Sequence, residues 1–585
     1  MDRSIRTLAL QLFGLCGFAI AQPVFDLLGG TPEFLLVRRV DRIDVLLLVA
    51  GVSLAPPLLL LLVELAAGVL GSRARTVVHV LLVALLGALC ALPAINRAVS
   101  LSPAATLGAG AAAGTVLAGI YAMSAGFRSF TTWLGAAGLI FPALFLMRPA
   151  TMLIIAPPAI ELGSAAGGAS DAPIVMVVFD EFPLIALTRP DGQIDATLFP
   201  NFARLARDTT WFRNATTVGT MTPTAVGSIL TGVLQGVAPL GVPATKSKNL
   251  FTLLGGTHDL SVRESYAPFC PPSLCRDPGG ESRATRERAL LYDTAVVWLH
   301  AVTPPPWADR LPALAFGSLL LRPEKVMTRE EHAATLREGP VKTHWSTTPA
   351  QRREAFQGFI DSITPSDRPT LHYFHVLVPH VPYVFEPSGK ICADSRRAPI
   401  PAWWYHSGDS RVLQQRLLMQ VGFVDTMVGR LLDQLERTGL YDDTLLVLVG
   451  DHGMSFRPTE RRRPLSMANR CDILPVPLFI KAPHQGSGQT IDRNVEVIDV
   501  LPTMAAVLGI TVPWRLDGHS ALDTTHPERK GKIMVGPLWG PESALPWKAG
   551  RLTFPTDEGI RCLTSDRPNP DVAWGDGPQR VFRRG

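Results

Sequence analysis

The feature that most constrains this chain is a series of five long apolar stretches near its N-terminus. They lie at about 7–28, 43–70, 77–96, 104–123 and 130–147. A helix of about 20 apolar residues crosses a bilayer and satisfies its own backbone hydrogen bonds there. The sequence therefore predicts a transmembrane domain of about five helices over residues 1–150. Pro56, Pro57 and Glu64 are expected to trim the second span.

The loop charges do not orient these spans. With the N-terminus inside, five arginines fall at the inner ends of the spans and five at the outer ends, so the positive-inside rule favours neither orientation. Five spans place the two ends of the chain on opposite sides. Cys270 and Cys275 flank a tight loop that can close a disulfide, which requires an oxidising compartment. We therefore expect a multi-pass protein of the cell (inner) membrane with an extracytoplasmic C-terminal domain.

The rest of the chain divides by composition. Residues 151–170 are rich in Gly, Ala and Pro and predict a flexible linker. From 171 to 525 strands alternate with helices, which predicts an α/β domain with a mostly parallel central sheet covered by helices. The predicted strands are 174–179, 371–378, 445–449 and 476–480, and the predicted helices are 201–207, 412–437 and 499–508. Residues 526–585 form a C-terminal extension without an interpretable motif.

The charge distribution argues against nucleic acid as a partner. The formal net charge is +5 over 585 residues. The arginine run 461–463 is short, and we interpret it as a solvated loop.

Acidic and histidine residues follow three of the predicted strands. Asp180-Glu181 follows the first strand, His380 follows the second, and Asp451-His452 follows the third. Ligands of open α/β sheets gather at the carboxyl ends of the strands, where carboxylate and imidazole groups can bind one metal ion. The sequence therefore predicts a metal site at this edge of the sheet.

A hydroxyl group accompanies this predicted metal site. Thr222 precedes Pro223, which predicts a helix with Thr222 as N-cap and Pro223 as its first residue. A cap alone would explain this threonine. The acidic and Asp-His motifs favour a second interpretation, in which a divalent metal lowers the pKa of the hydroxyl and makes it a nucleophile.

Several motifs together resemble the sulfatase-like branch of the alkaline phosphatase superfamily. They lie in the family's order at 177–181, 199–205, 212–216, 228–232, 424–425, 439–444, 450–453, 476–480 and 499–503. The resemblance implies an α/β domain with a catalytic metal site over roughly 171–525.

The departures from that family narrow the mechanism. Formylglycine sulfatases carry Cys or Ser where this chain has Thr222, and Arg where it has Val226. A formylglycine mechanism is therefore not expected. Lipoteichoic acid synthases and lipid A phosphoethanolamine transferases use a threonine nucleophile, and their architecture of five spans before an extracytoplasmic domain is similar. Thr224, in a Thr-x-Thr-Ala pattern, is the alternative nucleophile.

The resemblance also implies roles for the other residues at the strand ends. Asp180, Glu181, Asp451 and His452 are the expected ligands of one divalent ion (Zn, Mn, Mg or Ca). His380 resembles the family's substrate-facing histidine, whereas His375, within a strand, is interpreted as structural.

Three functions follow as hypotheses. The first is a membrane-bound enzyme that cleaves a phosphodiester or phosphoester and transfers a phospho-alcohol group from a phospholipid to an envelope glycan or lipid. The second is a sulfuric or phosphoric ester hydrolase of the same superfamily. The third is a non-catalytic membrane protein with a degenerate sulfatase-like domain.

Overall fold

The structure is a computed structural model. It describes residues 4–30, 34–35, 39–99, 101–157, 159–160, 162, 171–235, 247–265, 268–275, 282–308, 311, 349–392, 407–457, 462–538 and 548–564. Most of the predicted linker, including 163–170, and the end of the predicted C-terminal extension, 565–585, lie outside these ranges. The described residues fall into two compact units, of which the first contains 1–158 and the segment 282–308.

The first unit is helical. Its helices are α1 (Ile5–Cys16), α2 (Gln22–Gly30), α3 (Arg42–Val69), α4 (Ser72–Ala98), α5 (Pro103–Met123), α6 (Ala125–Ala137), α7 (Ile140–Leu146) and α8 (Pro149–Ile155). Five stretches are long and apolar enough to cross a membrane, namely Ile5–Gly30, Arg42–Val69, Ser72–Ala98, Pro103–Met123 and Ala125–Leu146. The predicted spans are thus confirmed in number and place.

The second span differs from the prediction in length. α3 runs without interruption through Pro56 and Pro57, and Glu64 lies buried inside the unit. The expected trimming is therefore wrong, since neighbouring helices in a bundle tolerate a proline within a span. The linker prediction begins too early, because α8 covers its first residues.

The second unit is built on a seven-stranded sheet, and two further strands form a separate pair. The nine strands are β1 (Ile174–Phe179), β2 (Thr210–Phe212), β3 (Ala215–Thr216), β4 (Asp259–Glu264), β5 (Thr370–Val376), β6 (Leu445–Gly450), β7 (Leu478–Lys481), β8 (Gln489–Ile491) and β9 (Val495–Glu496). The sheet order is β4-β5-β1-β6-β7-β2-β8, and β3 pairs with β9 separately. Only β7 is antiparallel to its described neighbours, so the predicted mostly parallel sheet is confirmed.

Helices cover this sheet. They are α9 (Pro200–Asp208), α10 (Thr222–Thr231), α11 (Leu250–Leu254), α14 (Pro349–Asp361), α15 (Ser407–Arg437), α16 (Arg470–Ile473) and α17 (Val500–Leu508), while α12 (Arg283–Val302) and α13 (Pro305–Ala308) belong to the first unit. β1 and β6 are buried along their whole lengths. This burial on both faces explains why both strands read as continuous apolar runs.

The predicted C-terminal extension is structured over part of its length. It contributes β10 (Lys532–Leu538), β11 (Lys548–Phe554) and α18 (Glu558–Thr564). Cys562 of α18 forms a disulfide with Cys471, and Leu563 packs into the main core of the unit. The predicted disulfide between Cys270 and Cys275 is also present.

Candidate active site

The carboxyl ends of β1 and β6 bring the two acidic motifs together. The strands are parallel neighbours, and Phe179 pairs with Gly450, so Asp180 and Asp451 emerge side by side. Oδ1 of Asp451 accepts hydrogen bonds from the backbone N–H of Glu181 at 3.0 Å and of His452 at 2.6 Å. All four residues are buried. The structure thus places the predicted strand-end residues at one edge of the sheet.

Thr222 lies against these residues. Its Oγ1 is 3.5 Å from Oδ1 of Asp180 and 3.4 Å from Nε2 of His452. The predicted capping role is wrong, because Met221 is the N-cap and Thr222 is the first residue of α10. The hydroxyl of Thr222 therefore does not cap the helix and instead faces Asp180 and His452.

Thr224, the alternative nucleophile, packs against Gly219. It is half-buried, and its Cγ2 lies so close to Gly219 that a Cβ at Gly219 would approach it to 2.7 Å. The geometry therefore favours Thr222 over Thr224, and the identity of the nucleophile remains a prediction.

His452 presents one ring nitrogen to the site. Its Nδ1 lies 2.9 Å from the carbonyl oxygen of Gly453, which can only accept, so Nδ1 carries the hydrogen. The lone pair of Nε2 then faces Thr222 and Oδ2 of Asp451, the latter at 3.6 Å. Burial, with the nearby Arg463, lowers the pKa of His452 to about 4, so the ring is neutral at neutral pH. A backbone carbonyl orients metal-ligating histidines in the same way. The predicted role of His452 as a metal ligand stays a prediction, because its Nε2 is also placed to accept the proton of Thr222.

Three buried side chains form a group that can hold a metal ion. Donor atoms of Asp180, His375 and Asp451 all lie within 4.8 Å of one another. Among the described residues, Oδ2 of Asp451 and Nε2 of His375 have no hydrogen-bond partner. Buried polar atoms without partners are costly, and a cation between them would satisfy both. The donor set therefore fits a divalent metal.

The electrostatics agree with this fit. Burial, followed by the facing Asp180 carboxylate, raises the pKa of Asp451. Burial also acts to raise the pKa of Asp180, but His380, His375 and Arg463 outweigh it and lower that pKa. Two carboxylates that face each other in a buried site repel, and a cation would relieve that repulsion.

His375 was interpreted as structural, but the structure places it in this group. Val178, two residues before Asp180, pairs with His375 across β1 and β5. The signal in the sequence was the presence of two histidines, His372 and His375, within the strand, of which His375 lies nearer the carboxyl end. Residues within a strand were expected to be core, and metal ligands were expected only after the strand ends.

Glu181 is held by two arginines instead of joining the metal-ligand group. Its carboxylate accepts hydrogen bonds from Nη2 of Arg462 and, at 2.6 Å, from Nε of Arg463. Burial alone would raise the pKa of Glu181, but the two guanidinium groups hold it well below its usual range. The arginine side chains are only 10% and 17% exposed, so the prediction of a solvated loop is wrong for them.

His380 also lies near Glu181. Its Nε2 is 3.7 Å from Oε2 of Glu181, and its side chain is 13% exposed. The loop that carries it is fixed by Arg352, which donates to the carbonyls of residues 377, 380 and 381, and by Gln420, which donates to those of 379 and 380. Burial lowers the pKa of His380 against the opposing effect of Glu181.

Comparison with known proteins relates part of the chain to a family. A family model described as "Sulfatase" matches residues 326–510. A "Sulfatase" of Formosa agariphila is 32% identical over 134 residues, which is 23% of this chain and 26% of the relative. The match places residues 326–510 of this chain in the alkaline phosphatase-like sulfatase superfamily.

Other superfamily members give similar short matches. "Arylsulfatase K" of Xenopus laevis is 29% identical over 119 residues, 20% of this chain and 22% of the relative. The "Multifunctional alkaline phosphatase superfamily protein PehA" of Trinickia caryophylli is 30% identical over 117 residues, again 20% and 22%. The matches thus span about a quarter of the length of these relatives.

A solved structure of phosphonate monoester hydrolase from Agrobacterium radiobacter is similar over 67% of this chain and 91% of its own, with a TM-score of 0.42 and 16% identity.

The residues matched by the sulfatase family model include His375, His380 and the Asp451-His452 pair, whereas Asp180 and Thr222 precede them. Enzymes of this superfamily bind a divalent metal ion, and Asp180, His375 and Asp451 form a possible site for one in this member.

Proposed function

We propose that this chain is a membrane-bound, metal-dependent enzyme that cleaves phosphodiesters or phosphoesters with Thr222 as nucleophile. In this proposal it transfers a phospho-alcohol group from a phospholipid to an envelope glycan or lipid. The observation that carries the proposal is the position of the Thr222 hydroxyl, 3.5 Å from Asp180 and 3.4 Å from His452. That position adjoins the three side chains that fit a metal.

The proposed first step forms a covalent phospho-threonine. Oγ1 of Thr222 attacks phosphorus, the bond from phosphorus to the leaving alcohol breaks, and Nε2 of His452 accepts the hydroxyl proton. The leaving alkoxide takes a proton from His380 or from water. In the second step an acceptor hydroxyl attacks phosphorus and the bond from phosphorus to Oγ1 of Thr222 breaks. The protonated His452 returns its proton to Oγ1, and the proton of the acceptor replaces the one given up by His380 or water. A divalent ion, when bound by Asp180, His375 and Asp451, would lower the pKa of the hydroxyl and stabilise negative charge on the ester.

The charge balance supports an anionic substrate. Arg462 and Arg463 both pair with the single carboxylate of Glu181, which balances one of their two charges. The divalent ion that Asp180 and Asp451 fit would balance those two carboxylates, so the loaded site would carry a positive charge available to an anion. His380 also lies 3.7 Å from the carboxylate of Glu181. A guanidinium group near the nucleophile is suited to the non-bridging oxygens of a phosphoryl or sulfuryl group.

Hydrolysis is the second candidate. The descriptions of the sulfatase and PehA relatives support hydrolysis as well as they support transfer. The first step is the same, and water replaces the acceptor alcohol in the second. The five spans favour a lipid donor and so a transferase. The third hypothesis, a non-catalytic domain, is disfavoured because Asp180, Thr222 and Asp451-His452 lie together.

The cysteines support the proposed compartment. The described residues contain two disulfides, Cys270–Cys275 and Cys471–Cys562, both in the second unit. Disulfides persist in oxidising compartments, which supports an extracytoplasmic second unit at the cell membrane.

Turnover with defined esters tests the proposal. The purified full chain, loaded with Zn²⁺ or Mn²⁺, would be assayed on a labelled phospholipid, bis-p-nitrophenyl phosphate and p-nitrophenyl sulfate, each with and without an alcohol acceptor. Thr222→Ala should lower kcat by roughly 10³-fold or more, while the matched control Thr224→Ala should retain activity. A labelled acceptor product would establish transfer, and release to water alone would favour the hydrolase. Equal activity of Thr222→Ala and wild type would refute the proposal.

A further inference from the structure

α12 is a helix of the membrane unit that the sequence places inside the catalytic region. It was predicted as part of the domain at 171–525, yet its contacts assign it to the unit of the five spans. Leu290, Val296 and Val297 share one buried apolar cluster with residues of α2 and α3, such as Phe25 and Leu48.

Both ends of α12 lie at the same end of the span bundle. At its start, Arg283 pairs with Asp41 at 2.7 Å and Arg286 pairs with Asp44 at 2.8 Å, where α3 begins. At its end, Nδ2 of Asn96, near the end of α4, donates to the carbonyls of residues 301 and 303. α3 and α4 are joined by a turn at residues 70–71, so the start of α3 and the end of α4 lie at one membrane boundary. A helix anchored twice at one boundary runs along the membrane instead of crossing it.

The inner face of α12 reaches into the bundle. The indole N–H of Trp298 donates to the backbone carbonyl of Ala19, within the first span, at 3.0 Å. Thr294 bonds back to the carbonyl of Leu290 and adds no unpaired polar group to this face. The inner face of α12 is therefore buried against the spans.

The outer face of α12 is apolar beyond Arg288. Leu291 is 54% exposed, Tyr292 55% and Leu299 37%, and the exposed Ala295 lies between them at helical spacing. The outward face of a water-exposed helix normally carries charges. On α3 of the same bundle, Leu59 and Leu62 show comparable exposure within a candidate membrane span.

We propose that α12 is an interfacial membrane helix whose outer face, defined by Leu291, Tyr292, Ala295 and Leu299, contacts the acyl chains of one leaflet. Leu46 and Leu47 of α3, near the end at which α12 is anchored, are 40% and 50% exposed within a candidate membrane span, which selects lipid as the occupant. Tyrosine and tryptophan favour the membrane–water boundary, and Arg283 and Arg286 mark the polar level of the bilayer. The inference does not depend on the proposed catalytic activity.

Spin-label accessibility in vesicles tests this placement. The full chain, with Cys16, Cys90 and Cys392 replaced by Ala, would carry a label at Leu291→Cys or Leu299→Cys. Leu59→Cys on α3 serves as the lipid-facing control, and Val412→Cys, a 51% exposed apolar position of the second unit, as the aqueous control. Oxygen should relax the labels at 291 and 299 as strongly as the label at 59, with little effect of a water-soluble nickel chelate. A pattern like that of residue 412 would overturn the proposal and indicate a docking face for protein.

Photolabelling of the unmodified chain gives an answer that needs no variant. A lipid with a photoreactive acyl chain should label the tryptic peptide 289–310 as it labels the span peptide 43–73. The peptide 417–430 from the buried α15 is the matched apolar control and should remain unlabelled. Labelling of the span peptide without labelling of 289–310 would contradict the proposal.

Discussion

At the scale of single residues, one position along α10 decides what Thr222 can do. The Thr-Pro pair predicts a capped helix start, in which the hydroxyl would bond to the helix's own N–H groups. The helix instead begins at Thr222, and a shift of one residue turns a side chain by about 100° around the helix axis. The sequence therefore indicated Thr222 as a candidate nucleophile but did not predict the direction of its hydroxyl.

The metal ligands can be separated from their neighbours by substitution. Asp451→Asn should lose the bound ion, because it removes a charged donor from the group formed with Asp180 and His375. Glu181→Gln should retain the ion, since the carboxylate of Glu181 pairs with Arg462 and Arg463 and not with the metal-ligand group. Elemental analysis of the purified variants, together with the thermal shift on adding Zn²⁺ or Mn²⁺, measures both effects. Saturating metal at about 100 Kd should stabilise a binding-competent chain by roughly 2.7 kcal/mol.

Loss of metal from Glu181→Gln at normal folding would contradict this assignment and restore the ligand set expected from the family resemblance. Asp191→Asn, at an exposed carboxylate in a surface pair with Arg189, is the control for a general effect of removing an acid.

At the scale of elements, β5 shows how a buried strand can carry titratable groups outside the metal site. Burial, aided by the charge of Arg263, lowers the pKa of His372 from 6.5 to about 4. His372 is then neutral in the folded chain and protonates more readily when unfolded. The stability it supports is complete above about pH 6.5 and is lost as the pH falls towards 4.

Denaturant unfolding between pH 7 and 4 checks this expectation. Wild type should lose roughly 2–3 kcal/mol more than His372→Gln across that range. His484→Gln, at an exposed histidine, should follow wild type. Parallel curves for wild type and His372→Gln would show that the ring is not neutral when folded.

The spans are joined by a chain of buried polar side chains that the sequence revealed only as isolated polar residues. The hydroxyl of Tyr121 donates to Oε1 of Gln11 at 2.7 Å and lies 2.8 Å from Nε2 of His79, whose Nδ1 contacts Glu64. Nε2 of Gln11 continues to the carbonyl of Arg128. These residues come from α1, α3, α4, α5 and α6, so the chain of hydrogen bonds fixes the spans relative to one another.

Tyr121→Phe should lower the stability of the detergent-solubilised chain by about 1–3 kcal/mol, because it leaves buried polar partners unsatisfied. Thermal unfolding would measure the loss. Tyr292→Phe makes the same chemical change at an exposed position and should alter stability by less than about 0.5 kcal/mol. Equal effects of the two substitutions would show that the hydroxyl of Tyr121 contributes no net stability.

At the scale of the whole molecule, the features that could be predicted from the sequence are those that the pattern of apolar residues reveals. Long apolar runs identified the five spans, and the buried runs of β1 and β6 identified the sheet with its acidic ends. Three features depend on contacts far apart in sequence and were missed. They are the docking of α12 on the spans, the position of His375 beside Asp180, and the disulfide between Cys471 and Cys562.

The two disulfides should differ in their contribution to stability. Cys471–Cys562 closes a segment of 91 residues, while Cys270–Cys275 closes one of 5. Loop-closure entropy predicts a loss of about 4–5 kcal/mol for the paired substitution Cys471→Ser with Cys562→Ser, against about 2 kcal/mol for the other pair. Chemical unfolding of the two double variants compares them directly. A larger loss for the short loop would contradict this expectation.

The central claim, that Thr222 forms a covalent intermediate, is tested most directly by mass spectrometry of the metal-loaded chain after incubation with a labelled phospholipid. The tryptic peptide 214–246 contains both Thr222 and Thr224, so fragmentation and the variants Thr222→Ala, Thr222→Ser and Thr224→Ala must locate the adduct. We predict a phospho-alcohol adduct on Thr222 that survives in Thr224→Ala and Thr222→Ser and disappears in Thr222→Ala. An adduct that persists in Thr222→Ala, or turnover of the lipid by that variant at the wild-type rate, would contradict the account.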